Sequence, residues 1–194
     1  MDTQRIGVFG GTFDPIHLGH LAAASEVCEQ LALESVVLVP ANEQPLKASP
    51  HASAEHRLAM CRAAVVGDPR LSVSDVDIKR GGLTFTVDTL ADVAAEFPGA
   101  DLTFIVGADA LANVDKWREP ERLRSLARFV GVTRPGFDRP AATADTVVVE
   151  VPGVAVSSTE VRNRVRDGAS VRYLVPDVVV AYIEHNGLYL GGDA

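Results

Sequence analysis

The residues best suited to chemistry lie together near the start of the chain, in Gly10-Gly11-Thr12-Phe13-Asp14-Pro15-Ile16-His17-Leu18-Gly19-His20, directly after the apolar run from Ile6 to Phe9. Gly10 and Gly11 can take backbone conformations closed to other residues and let a ligand approach the main chain, while Pro15 fixes the turn before the chain becomes helical. His17 and His20 are three apart. With a helix beginning near Ile16 they share a face at its N-terminal end, where unpaired N–H groups and the helix dipole favour an anion. An imidazole can donate to a phosphate oxygen and gains positive character beside one. These residues therefore describe a phosphate site; a metal-binding pair or two surface histidines are the plainer alternatives.

A second group stands late in the chain, in Ser157-Ser158-Thr159-Glu160-Val161-Arg162-Asn163-Arg164. Ser157 and Glu160 have capping-box spacing, which needs no function. The same helix start would also offer N–H groups, the Ser158 and Thr159 hydroxyls and the Arg162 guanidinium to a phosphate. Arg164 and Arg166 read as a solvated face. Trp117 is the only tryptophan, and Asp115-Lys116 before it and Arg118-Glu119 after it would be dragged inward if it were deeply buried. A partly exposed stacking face is the expectation.

These residues need a frame. Short β-branched or aliphatic runs at 5–9, 35–39, 71–74, 102–106, 128–132 and 147–151 read as strands, and 18–31, 53–66, 86–97, 120–127 and 158–167 as helices, with Ser53 as an N-cap. A last helix covers 178–185, with Pro176 suited to its first position and Asn186-Gly187 as its stop. The alternation implies an α/β fold: a doubly wound, mainly parallel, Rossmann-like sheet with helices on both faces and a small C-terminal helical part. In such a sheet ligands bind beyond the carboxyl ends of the strands, which is where both groups fall. The stretches 41–52 and 134–144 read as long loops. No Gly-x-Gly-x-x-Gly stands at the first turn and no acidic residue ends the second strand, which disfavours hydride transfer with a dinucleotide cofactor.

The 194 residues suit a single domain, 1–194, and the net charge of −8 argues against a broad nucleic-acid surface while leaving room for an anionic substrate in a locally basic cleft. Two cysteines without a paired spacing, no apolar leader region and no membrane-length run lead to the expectation of an unexported, cytoplasmic protein with no membrane partner. A homo-oligomer stands open.

The first motif, with His17-Leu18-Gly19-His20 as its His-x-Gly-His, resembles the signature of the nucleotidyltransferase superfamily, and Gly-Gly-Thr-Phe-Asp-Pro-x-His looks in particular like the bacterial nicotinate-nucleotide adenylyltransferases. The stretches 40–47, 84–90, 104–117 and 157–164 agree, so the resemblance covers nearly the whole chain. It implies transfer of the adenylyl group of ATP, with Mg²⁺, to nicotinate mononucleotide. It assigns His17 and His20 to the phosphates around the reacting bond, and Gly10, Gly11, Thr12 and Phe13 with Ser157, Ser158, Thr159 and Arg162 to ATP. Asp14 coordinates indirectly or caps the turn. Lys47 resembles a family lysine brought onto the phosphates as its loop closes, against the plain reading of a solvated loop lysine, and Arg57 is read as an anchor of that loop. For the acceptor the resemblance implies the pyridine ring at Trp117, the ribose at Asp109 after Gly107, and the carboxylate at Thr86 and the backbone of Trp117 and Arg118. Asp109 could also be an N-cap. Phe85 stands where the family has tyrosine. The alternatives are an enzyme acting on pantetheine phosphate or nicotinamide mononucleotide, or a nucleotide-binding regulator without catalysis.

Overall fold

The protein is described by a computed structural model that covers residues 3–45, 49–133, 146–152 and 155–191. Six strands form one sheet: β1 (Arg5–Gly11), β2 (Ser35–Pro40), β3 (Leu71–Val73), β4 (Asp101–Gly107), β5 (Arg128–Thr133) and β6 (Thr146–Glu150). Their order is β3-β2-β1-β4-β5-β6, and every pairing is parallel. The chain moves outward in one direction from β1 through β3 and in the other from β4 through β6, so β1 and β4 flank the point where the winding reverses.

Because side chains alternate across a strand, a sheet covered on both faces needs apolar residues at odd and even positions alike. In β2, Val36 and Leu38 enter one core layer with Ala24, Val27, Met60, Cys61, Val161 and Val179, while Val37 and Val39 enter the other with Val87, Leu90, Val93 and Leu123. The first layer is covered by α1 (Leu18–Gln30), α2 (Ala54–Val65), α7 (Ser158–Arg166) and α8 (Asp177–Asn186), the second by α4 (Thr86–Glu96) and α6 (Pro120–Leu126). Among the described residues no helix is long and apolar enough to cross a membrane.

All six expected strands and all six expected helices are present, within a few residues of their expected bounds. Two short helices, α3 (Val76–Arg80) and α5 (Ala108–Leu111), and a 3-10 turn at Val114–Lys116 were not expected, since a single turn is too short to display a helical period. Ser53 accepts from the His56 N–H as an N-cap should, and Gly187 ends α8 in a left-handed conformation. Pro176 is the cap residue of α8 and not its first helical residue. The stretch 134–144 lies outside the described residues, as do 46–48 of the earlier loop.

Candidate active site

The turn after β1 is built differently from the expectation for its glycines. Neither Gly10 nor Gly11 has positive φ; Phe13 does, at 50°. What the glycines supply is room. A Cβ on Gly11 would stand 2.8 Å from Phe13 Cζ, and one on Gly10 3.2 Å from Phe104 Cζ. The chain thus folds the Phe13 ring back over the end of its own strand, which only a residue without a side chain permits there.

The helix after this turn starts at Leu18, the first residue of the stretch read as helical, with His17 as its cap. Nδ1 of His17 accepts from the His20 N–H and Nδ1 of His20 from the His17 N–H, each at 3.3 Å, a capping box made of two imidazoles. The rings stack with centroids 3.6 Å apart and planes 17° from parallel. His20 is further held by the edges of Phe13 and Phe9, at 5.0 and 6.1 Å between centroids. An accepting Nδ1 assigns the ring proton of the neutral imidazole to Nε2, so both side chains are fixed as Nε2–H donors. The glycine between them has a steric reason. A Cβ on Gly19 would come within 3.1 Å of His17 Nδ1 and 3.2 Å of Val156 Cγ1.

The start of α7 docks on the same turn. Ser157 caps that helix by accepting from the Glu160 N–H at 3.1 Å. The Ser158 hydroxyl donates to the Pro15 carbonyl at 2.9 Å, and Arg162 donates to the Asp14 carbonyl at 2.7 Å and to the Thr159 hydroxyl at 3.2 Å. The N-terminal ends of α1 and α7 therefore meet at Asp14-Pro15, and their dipoles add at one place. The Asp14 carboxylate does not cap α1. It is buried and accepts from the His51 N–H at 2.7 Å, the Ala52 N–H at 3.1 Å and the Tyr189 hydroxyl at 2.8 Å.

Arg57 is the anchor expected of it. Buried at the start of α2, it donates to the carbonyls of Ala52, Thr12, Ala41 and Asn42 at 3.2, 2.8, 2.6 and 2.9 Å, tying the turn after β1 to the loop after β2. Arg164 and Arg166 lie on the exposed side of α7, where Arg164 donates to the Ser170 carbonyl and Arg166 to Asp167. Lys47 lies outside the described residues.

On the β4 side, Thr86 is the first residue of α4, whose cap residue Phe85 supplies no side-chain bond; the Asp88 N–H donates to the Phe85 carbonyl at 3.0 Å, so the donor capacity of the opening turn lies with the Thr86 and Val87 N–H groups. Thr84 braces this end. Its N–H donates to the Glu43 carbonyl at 2.7 Å and its hydroxyl accepts from the Asn42 N–H at 3.0 Å. Thr12 reaches the same loop, donating to Gln44 at 3.0 Å. Trp117 is half-buried, edge-on to Phe104 and Phe129 at 6.2 and 6.4 Å, with Asp115, Lys116, Arg118 and Glu119 all exposed around it. Arg118 lies over the Phe85 ring at 4.7 Å and 3.7 Å from Asp88. The ring that lacks the family's hydroxyl thus serves as a cation–π shelf. Asp109 is not an N-cap: Gly107 holds that position in α5, and no side chain bonds there. Its carboxylate lies over Gly107, where an added Cβ would stand 2.6 Å from Oδ1.

One cluster thus stands at the carboxyl end of β1, around His17, His20 and Arg162, while Asp109 follows the end of β4 and Arg118, next to Trp117, reaches the Phe85 ring at the start of α4. A sheet so ordered, with two helix N-termini meeting at its switch point, defines a doubly wound, Rossmann-like α/β protein with a ligand site at that point. The chain belongs to the cytidylyltransferase-like family, which it matches over residues 8–164, and within it to the nicotinate-nucleotide adenylyltransferases. It is 50% identical over 194 residues to a Saccharopolyspora erythraea protein named probable nicotinate-nucleotide adenylyltransferase, covering 98% of this chain and 92% of that one. A Streptomyces coelicolor protein of the same name is 54% identical over 187 residues, covering 94% and 99%. The fold is similar to that of Plasmodium falciparum nicotinic acid mononucleotide adenylyltransferase complexed with NaAD, with a TM-score of 0.80 at 18% identity over 97% of this chain and 98% of that one.

Proposed function

We infer that the protein transfers the adenylyl group of ATP to nicotinate mononucleotide, giving nicotinate adenine dinucleotide and pyrophosphate. The observation that carries the chemistry is the meeting of His17, His20 and two helix N-termini at the switch point. A phosphate oxygen of the acceptor attacks the α-phosphorus of ATP in line, and the bond to the bridging oxygen of the leaving pyrophosphate breaks. No covalent enzyme intermediate is required, so the protein's work is alignment and stabilisation of developing charge.

In this reading the Nε2–H groups of His17 and His20 donate to the phosphates flanking the reacting bond. The backbone from Gly10 to Phe13 approaches the nucleotide, Ser157, Ser158 and Thr159 present the α7 terminus to the triphosphate, and Arg162 clamps it, with Lys47 as a further cation. The acceptor lies across Trp117, with its ribose at Gly107 and Asp109 and its carboxylate on the α4 start at Thr86 and the Trp117–Arg118 backbone. Mg²⁺, when bound with ATP, would supply neutralisation of charge on the triphosphate. Among the described residues no group of three His, Cys, Asp or Glu could hold it, and the Asp14 carboxylate is taken up by three donors, so the ion is proposed to travel on the phosphate oxygens of ATP. Residues 1–194 are proposed to act as one domain in the cytoplasm.

Trp117 is its own reporter. Binding of nicotinate mononucleotide should change its fluorescence, and Trp117→Ala should weaken acceptor binding by about 1 to 3 kcal/mol, as stacking on a base would, with Trp117→Phe retaining part. An emission unresponsive to saturating acceptor would remove the stacking role.

The acid should be preferred to the amide. Opening N–H groups of α4 suit both oxygens of a carboxylate, whereas a carboxamide sets an NH₂ donor against them, a mismatch worth about 1 to 3 kcal/mol, to which the lost charge adds. Competing the two mononucleotides in one reaction should show at least about a tenfold preference for nicotinate in kcat/KM. Equal incorporation would remove the carboxylate assignment, and turnover of pantetheine phosphate alone would replace the function. A regulator that only binds nucleotide would release no pyrophosphate with any acceptor.

A further inference from the structure

The Asp14 carboxylate is assembled from three distant parts of the chain. Its two backbone donors come from the loop ahead of α2, and its hydroxyl donor comes from Tyr189, beyond the end of α8 and 175 residues away in sequence. The path that brings Tyr189 back is built for it. Gly187 leaves α8 at φ 60°, the Leu188 N–H closes on the Ile183 carbonyl at 3.1 Å, and Tyr189 itself sits at φ 66°, a left-handed conformation uncommon for a residue with an aromatic side chain. Tyr189 is partly buried, packed with Leu188 against the core layer of α1, α2, α7 and α8, and its hydroxyl is directed at a residue of the catalytic turn.

Asp14 connects that hydroxyl to the chemistry. Its carbonyl receives the Arg162 guanidinium at 2.7 Å, the next carbonyl, of Pro15, receives Ser158, and His17 follows two residues later. A rotation of Asp14 would therefore shift the arginine, the start of α7 and the first imidazole together. We propose that Tyr189 is a positioning residue for adenylyl transfer, its hydroxyl locking Asp14 and thereby the Arg162 and His17 side of the site, so that the segment after α8 is part of the active site. Burial, and then the Asp14 charge, raise the Tyr189 phenol well above its ordinary value, which keeps it a donor throughout the working range of pH.

This rests on the proposed function, and Tyr189→Phe tests it by removing one oxygen while keeping the ring. Per mole of folded protein, kcat should fall about tenfold and the ATP dissociation constant, read by calorimetry, should rise several-fold, while the KM for nicotinate mononucleotide stays within about twofold, because the turn reaches the acceptor side through Thr12 and the Arg57 anchor, which Tyr189 does not touch. Tyr189→Phe combined with Arg162→Lys should be less than additive in kcat, and combined with Trp117→Ala additive. A lower melting temperature with unaltered kcat, KM and ATP affinity would mean that Tyr189 only staples the C-terminal segment, and would overturn the proposal. Absence of turnover in the unmodified protein would instead overturn the proposed function, and ATP affinity in the Tyr189→Phe protein would still decide the positioning role.

Discussion

Replacing either His17 or His20 by alanine should lower turnover by about 10²-fold or more while the protein remains folded. A preorganised donor aimed at developing phosphate charge contributes on this scale, and each imidazole is fixed in ring orientation and tautomer by the backbone N–H of the other. The same geometry complicates the test, because His17 is also the cap of α1, and loss of a cap costs about 1 kcal/mol. His17→Asn separates the two roles: asparagine is a good cap without an Nε2 donor. It should melt close to the unmodified protein and yet turn over as slowly as His17→Ala. Near-normal rates in both alanine variants, or a rate restored by asparagine, would remove the imidazoles from the chemistry.

The largest effect on stability should come from Arg57→Ala. One guanidinium serves four backbone carbonyls on two loops, and its removal leaves those of Ala41 and Ala52 buried and those of Thr12 and Asn42 part-buried without this donor, beside a void. At about 1 kcal/mol or more for each orphaned acceptor, a loss of about 3 to 5 kcal/mol is expected from denaturant unfolding. Arg57→Lys should recover little, since a single ammonium cannot reach carbonyls arranged for a planar fork. A loss under about 1 kcal/mol would show that water replaces the guanidinium and that the loops do not depend on it.

How far this molecule could be read from its sequence differs between backbone and site. The strands were legible because each is a short apolar run of core type, and the ends of α2 and α7 because Ser53 and Ser157 are ordinary caps. The start of α1 at Leu18 was legible, but its cap was not, because histidine is not a usual cap; only the ring pair, closing on itself, makes His17 one. The glycines of the first turn were legible as necessary but for another reason, since their constraint comes from the Phe13 and Phe104 rings and not from their own φ. Asp109 looked like a cap because it stands near a helix start, yet in so short a helix Gly107 takes that position. Arg57 could be read as an anchor from the loop it follows. The bond between Asp14 and Tyr189 left no local trace, because it exists only after the two ends of the chain have packed together.

The claim on which the account stands is transfer of an adenylyl group to a pyridine mononucleotide, and following the α-phosphorus of ATP tests it most directly. With ATP labelled at that phosphorus, nicotinate mononucleotide and Mg²⁺, the label should appear in nicotinate adenine dinucleotide, and unlabelled pyrophosphate should form in equal amount. Label remaining in ATP despite bound nucleotide, or appearing only in free AMP whatever the acceptor, would contradict it.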